Sequence, residues 1–123
     1  MRTPTPTLTP QELTIMKVVW TLESATVREI YEQLRERRDV AYTTVLTMMK
    51  ILEQKQYLKK NQAERAYVYR AAQPKRQVIG AMVRDFVNRV FNGAAEPLLV
   101  HLVEEHDLTR EDLEEIARLR RKP

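Results

Sequence analysis

The sequence predicts a mostly α protein with a small β wing: a winged helix-turn-helix domain followed by a C-terminal helical dimerisation region. Three observations predict it. Apolar residues recur at helical spacing through most of the chain, and only two of its 123 residues are glycine. That is too few for a many-stranded sandwich, which needs turn residues every eight to twelve positions. In addition, two strand-like runs at 57–61 and 65–71 follow the third helical segment. Three helices followed by a hairpin is the element order of a winged helix. The predicted organisation is a mobile arm at 1–7, a winged-helix domain at 8–72 and a helical dimerisation domain at 73–123.

Each element has a local cause. The arm alternates threonine with proline, which continues neither a helix nor a strand ladder. Thr9, Pro10 and Glu12 form a helix start: an N-cap, a proline at the first helical position and a capping-box carboxylate. Leu13, Met16, Val19 and Trp20 carry the first helix to about position 22, with Ile15 and Val18 widening its stripe. Ser24-Ala25 breaks the pattern as a short strand. Thr26 and Glu29 form a second capping box ahead of Val27, Ile30, Tyr31 and Leu34. A third helix is expected over 43–56. The polar turn 61–64 separates the two wing strands. In the second of these, Tyr67 and Tyr69 share one face and Val68 takes the other. Pro74 opens a long helix ending at Asn92-Gly93, a fifth helix covers 94–105, and Thr109 with Asp112 caps a sixth.

Charge is distributed unevenly. The net charge is +4, and residues 1–72 carry twelve Lys/Arg against eight Asp/Glu, whereas 73–123 carry nine of each. A basic first part attracts phosphate backbones through counterion release. In the third helix, Val45, Met48, Met49 and Leu52 form one apolar face. Helical geometry then places Thr43, Leu46, Thr47 and Lys50 on the other. Threonine can hydrogen-bond base edges and touch a thymine methyl, leucine can touch the same methyl, and lysine can reach a base or a phosphate. The spacing alone equally allows a solvated face. Lys59, Lys60 and Arg65 surround the wing turn, and Arg28 and Tyr42 lie near helix N-termini that favour anions.

Other chemistry finds little support. The absence of cysteine removes disulfides, thiolate metal sites and cysteine nucleophiles. His101 and His106 are five apart, not the three or four that stacks side chains on one helix face, so no metal site is expected. The single serine, Ser24, has no adjacent histidine, and no glycine-rich phosphate loop exists. The chain is therefore expected not to be an enzyme and to need no cofactor. No stretch of about eighteen apolar residues occurs, so no membrane insertion is expected, and the location is read as cytoplasmic. Val78, Met82, Phe86, Val90, Leu98, Leu99, Leu102 and Val103 are too many apolar residues for an appendage facing water, which predicts a homodimer. The alternative is a winged-helix adaptor that binds proteins without sequence-specific DNA binding.

The ordered set of motifs resembles the penicillinase-repressor family of winged-helix regulators, the BlaI/MecI group. Leu8-Thr9 with Glu12, Met16 and Val19-Trp20 matches its first helix, and Thr26-Val27-Arg28-Glu29-Ile30 its second. Ala41-Tyr42-Thr43-Thr44-Val45 with Leu52 matches its recognition helix. Leu58 and Tyr67-Val68-Tyr69 match its wing, and 86–113 its dimerisation region. The resemblance implies a homodimeric repressor on palindromic operator DNA, with Thr43, Thr44, Leu46, Thr47 and Lys50 in the major groove and Arg65 on the wing. It also implies release by proteolysis in the fifth helix, through a membrane sensor protease or its intracellular relay. The corresponding bond is His101-Leu102, where the best-known members show Asn-Phe. Copper-responsive relatives carry C-terminal cysteines, which this chain lacks.

Overall fold

The structure, a computed structural model, describes residues 8–63 and 65–120. The arm expected at 1–7 lies outside the described residues. The elements are α1 (Pro10–Leu22), β1 (Ser24–Ala25), α2 (Val27–Arg35), α3 (Tyr42–Gln54), β2 (Leu58–Gln62), β3 (Tyr67–Ala71), α4 (Lys75–Phe91), α5 (Ala95–His106) and α6 (Arg110–Arg118). The architecture is that of a winged helix followed by helices. Residues up to Ile79 form one compact unit and those from Gly80 a second.

The helix starts follow the capping chemistry. The Thr9, Thr26 and Thr109 hydroxyls accept from the backbone N–H three residues on, and Glu12, Glu29 and Asp112 accept in return from the cap's own N–H. For α2 these bonds are 3.1 and 2.8 Å. With only nine residues, α2 depends on its cap more than a long helix does. Thr26→Ala is expected to lower the unfolding free energy by about 1 kcal/mol. A chemical denaturation midpoint identical to the parent's contradicts that role.

The first unit closes around Ile15, Met16 and Val19 of α1, Ile30 and Leu34 of α2, and Val45, Met49 and Leu52 of α3, all buried. The antiparallel sheet, in the order β1-β3-β2, seals one side. Lys60 pairs with Tyr69 and Gln62 with Tyr67 across β2 and β3. Tyr67 and Tyr69 share a strand face, yet Tyr69 is 2% exposed and Tyr67 is 49%. The Trp20 indole N–H donates to the Gln73 carbonyl at 3.2 Å, which ties α1 to the segment leading into α4.

Several expectations are corrected. α3 begins at Tyr42 rather than 43 and ends at Gln54 rather than 56, because Gln56 takes a φ of 69° that stops the helix. Met48 is only half-buried, at the edge of the inward face. Val78, grouped by spacing with the dimerisation residues, is 2% exposed and part of the first unit's core. It has no open surface to offer a partner.

The second unit contains the rest of α4, then α5 and α6. α4 ends where Gly93 adopts a φ of 86°, with its N–H donating to the Val87 carbonyl at 3.1 Å. Only glycine takes that conformation without strain. Neither α5 nor α6 has a buried residue. Phe86, Val90, Leu99 and Leu102 are exposed, and Met82, Leu98 and Val103 are half-buried.

Candidate nucleic-acid interface

Helix α3 is the axis of the site. Val45, Met49 and Leu52 are each at most 1% exposed, and this row fixes the rotation of the helix. The opposite row is thereby turned out: Thr43, Thr47 and Lys50 are exposed and Leu46 is half-buried. Ala41 sits at the α3 N-cap and supplies no side-chain bond, unlike the threonines of α1 and α2. The cap side chain therefore does not compete with an incoming oxyanion for the first amide groups, at the positive end of the helix dipole.

One flank of α3 faces the wing. A cleft of 460 Å³ is lined by residues that include Arg28, Tyr42, Leu46, Lys50, Lys60 and Tyr67. Arg28 is placed by aromatic rings: its guanidinium carbon lies 5.9 Å from the Tyr42 ring centroid, and Tyr42 meets Tyr31 edge-on at 5.5 Å. Lys60 Nζ lies 4.4 Å from the Tyr67 ring centroid and 3.5 Å from Glu53 Oε1. Glu53 offsets part of the Lys60 charge. Among the described residues, Arg28 and Lys50 have no carboxylate partner. Burial pushes the Tyr69 phenol, at the back of the cleft, above its ordinary value.

The other flank faces the start of α1. A hollow of 280 Å³ is lined by Gln11, Thr43, Thr44, Thr47 and Met48. The structure thus gathers Arg28, Tyr42, Leu46, Lys50 and Lys60 on one side of α3, and Thr43, Thr44 and Thr47 on the other. Arg65 is exposed on the wing turn and lines neither. Three residues of the site were not among the expected ones: Tyr31, which meets the Tyr42 ring beneath Arg28, Tyr67, the ring beside Lys60, and Gln11, a neighbour of α3. For Lys60 part of the signal was present, since strand alternation puts Tyr67 on the same face as Tyr69, which the structure pairs with Lys60. For Gln11 it was not.

The arrangement offers outward threonines, a leucine and cations around an exposed helix and, among the described residues, no convergent nucleophile, acid and base. Among the described residues no group of three or more His, Asp or Glu could hold a metal ion, and no helix is long and apolar enough to cross a membrane. The profile of the penicillinase repressor family matches residues 8–122.

The chain belongs to the penicillinase repressor family.

It is similar to the transcriptional regulator BlaI of Mycobacterium tuberculosis, with 34% identity over 95 residues that cover 76% of this chain and 69% of that one. It is similar also to the penicillinase repressor of Bacillus licheniformis, with 25% identity over 114 residues, 93% of this chain and 89% of the relative. Among solved structures, it resembles B. licheniformis BlaI as a monomer in complex with the blaP half-operator. The TM-score is 0.52 at 26% identity, covering 58% of this chain and 88% of that one. Penicillinase repressors are transcriptional regulators rather than enzymes, and this chain is a winged-helix, DNA-binding repressor of that kind.

Proposed function

We propose that the protein is a homodimeric repressor that places α3 of each protomer in the major groove of one half of a palindromic operator. The observation that carries this reading is the division of α3 into a sealed face and an open one. Val45, Met49 and Leu52 are buried, while Thr43, Thr47 and Lys50 are exposed between two concave flanks. A B-DNA major groove about 12 Å wide admits such a helix. In this reading Thr43, Leu46, Thr47 and Lys50 meet base edges. Thr44 enters the groove beside them, and Arg28, Tyr42, Lys60 and Arg65 serve the backbone, where contacts position the protein without reading sequence.

The dimer is supported by the second unit, whose apolar side chains stay open in the protomer. Phe86, Val90 and Leu99 are 41, 49 and 51% exposed. A two-fold dimer mirrors a two-fold operator. Release by cleavage at His101-Leu102 is carried by the family resemblance. Both side chains are exposed on α5, and a cut there separates the dimerisation helices.

Selection of bound sequences from a random DNA pool tests the reading. Enriched sites are expected to be inverted repeats, and recovery of no common sequence contradicts it. On the selected site, Thr47→Ala is expected to cost about 1–3 kcal/mol while leaving non-specific binding nearly unchanged. Equal losses on both DNAs in a gel-shift comparison refute base readout at Thr47.

A further inference from the structure

A helix in the major groove is bordered by two phosphate strands, and the wing and Arg28 lie along one flank of α3. We propose that Gln11 and Arg38 grip the other strand, forming a second phosphate-binding wall on the α1 side of α3. This inference rests on the repressor reading and extends its DNA footprint to residues of α1 and of the segment between α2 and α3.

Two concavities carry it. The 280 Å³ hollow beside α3 is lined by Gln11 together with Thr43, Thr44 and Thr47. A second hollow, of 210 Å³, shares Gln11, Thr44 and Met48 with it and adds Arg38 and Asp39. Gln11 therefore stands against the outward residues of α3, although 32 positions separate it from Thr43. Its side chain is exposed and makes no hydrogen bond among the described residues, so its amide N–H groups are available as donors. Arg38 is also exposed, and no carboxylate lies within ion-pair distance of it among the described residues. A phosphate oxygen is an acceptor that suits both, since the Gln11 amide nitrogen and the Arg38 guanidinium are donors. Asp39 lines the same hollow and opposes part of the Arg38 charge. The wall is thus one cation and one neutral donor, and its contribution is a held strand rather than a strong field.

The test titrates the full chain against the selected operator and an unrelated duplex at several salt concentrations. Arg38→Ala is expected to weaken both complexes several-fold. It is also expected to reduce the slope of log affinity against log salt by about one, as loss of one phosphate contact requires. Gln11→Ala is expected to weaken both several-fold with the slope unchanged, because glutamine releases no counterion. Arg37→Ala is the positional control. Arg37 adjoins Arg38 in sequence and shares with it the cleft formed with Lys17 and Leu22 of α1, but Arg38 alone of the two also lines the hollow that contains Gln11. It is expected to match the parent. An Arg38→Ala slope equal to the parent's, or an equal slope change in Arg37→Ala, overturns the proposal alone. A parent chain that retains neither duplex overturns the repressor reading and this one with it.

Discussion

Leu99→Asp is expected to turn the protein into a monomer and to weaken its binding to a full operator by on the order of 10²-fold. The reason lies in the unsealed second unit. α5 has no buried residue in the protomer, and Leu99 is 51% exposed while Leu102 is 38%. Residues 99, 102 and 103 share one helix face. If that face meets its two-fold copy, an aspartate at 99 puts two carboxylates into an apolar contact with no cation to pair them. A monomer must then engage each half-site separately, and the gain from linking two recognition helices is lost. Affinity for an isolated half-site should not change, since α3 and its flanks belong to the first unit. Sedimentation at micromolar concentration with full-site and half-site titrations reads both effects. A variant that sediments as the parent does, or that loses half-site affinity equally, contradicts this placement of the interface.

What the sequence disclosed depended on the range of the interaction. The three capping boxes were legible because their partners lie three residues apart and their chemistry is local. The inward face of α3 was legible from periodicity, except at its edge. Met48 lies one position from Met49 and shares its side of the helix, but only the neighbouring elements decide that it is half-buried while Met49 is sealed. Val78 fitted the α4 stripe by spacing alone. It is buried because the first turn of α4 belongs to the first unit, and a domain boundary inside a helix leaves no mark in its periodicity. The site divided in the same way. Thr43, Thr47 and Lys50 followed from one helix, whereas the place of Gln11 beside them follows from the packing of α1 against α3.

Glu12 shows the limit most plainly, because its capping role was readable and its larger role was not. The side chain is 5% exposed, and Lys55 Nζ lies 2.8 Å from its Oε1 and 3.0 Å from Oε2, bridging 43 positions. Its Oε1 also accepts the Thr9 N–H at 2.9 Å. Burial pushes the carboxyl up, but the Lys55 hydrogen bonds, the Thr9 N–H and the nearby ammonium charge outweigh it and hold the group below its ordinary 4.5. Glu12→Ala is therefore expected to cost about 3 kcal/mol, the low end for breaking a buried pair, because Lys55 keeps some contact with water. Glu12→Gln can still accept the Thr9 N–H and should cost less. The pH dependence separates charge from packing. A carboxyl whose folded pKa is depressed contributes stability that is present above its unfolded value and is lost as pH falls through the folded one. The gap between parent and Glu12→Gln should thus be widest near neutrality and narrow below about pH 4.5. A gap that stays constant in denaturant titrations from pH 7 to pH 3 means that Glu12 acts through packing and its cap, and that the ion pair with Lys55 adds nothing to the fold.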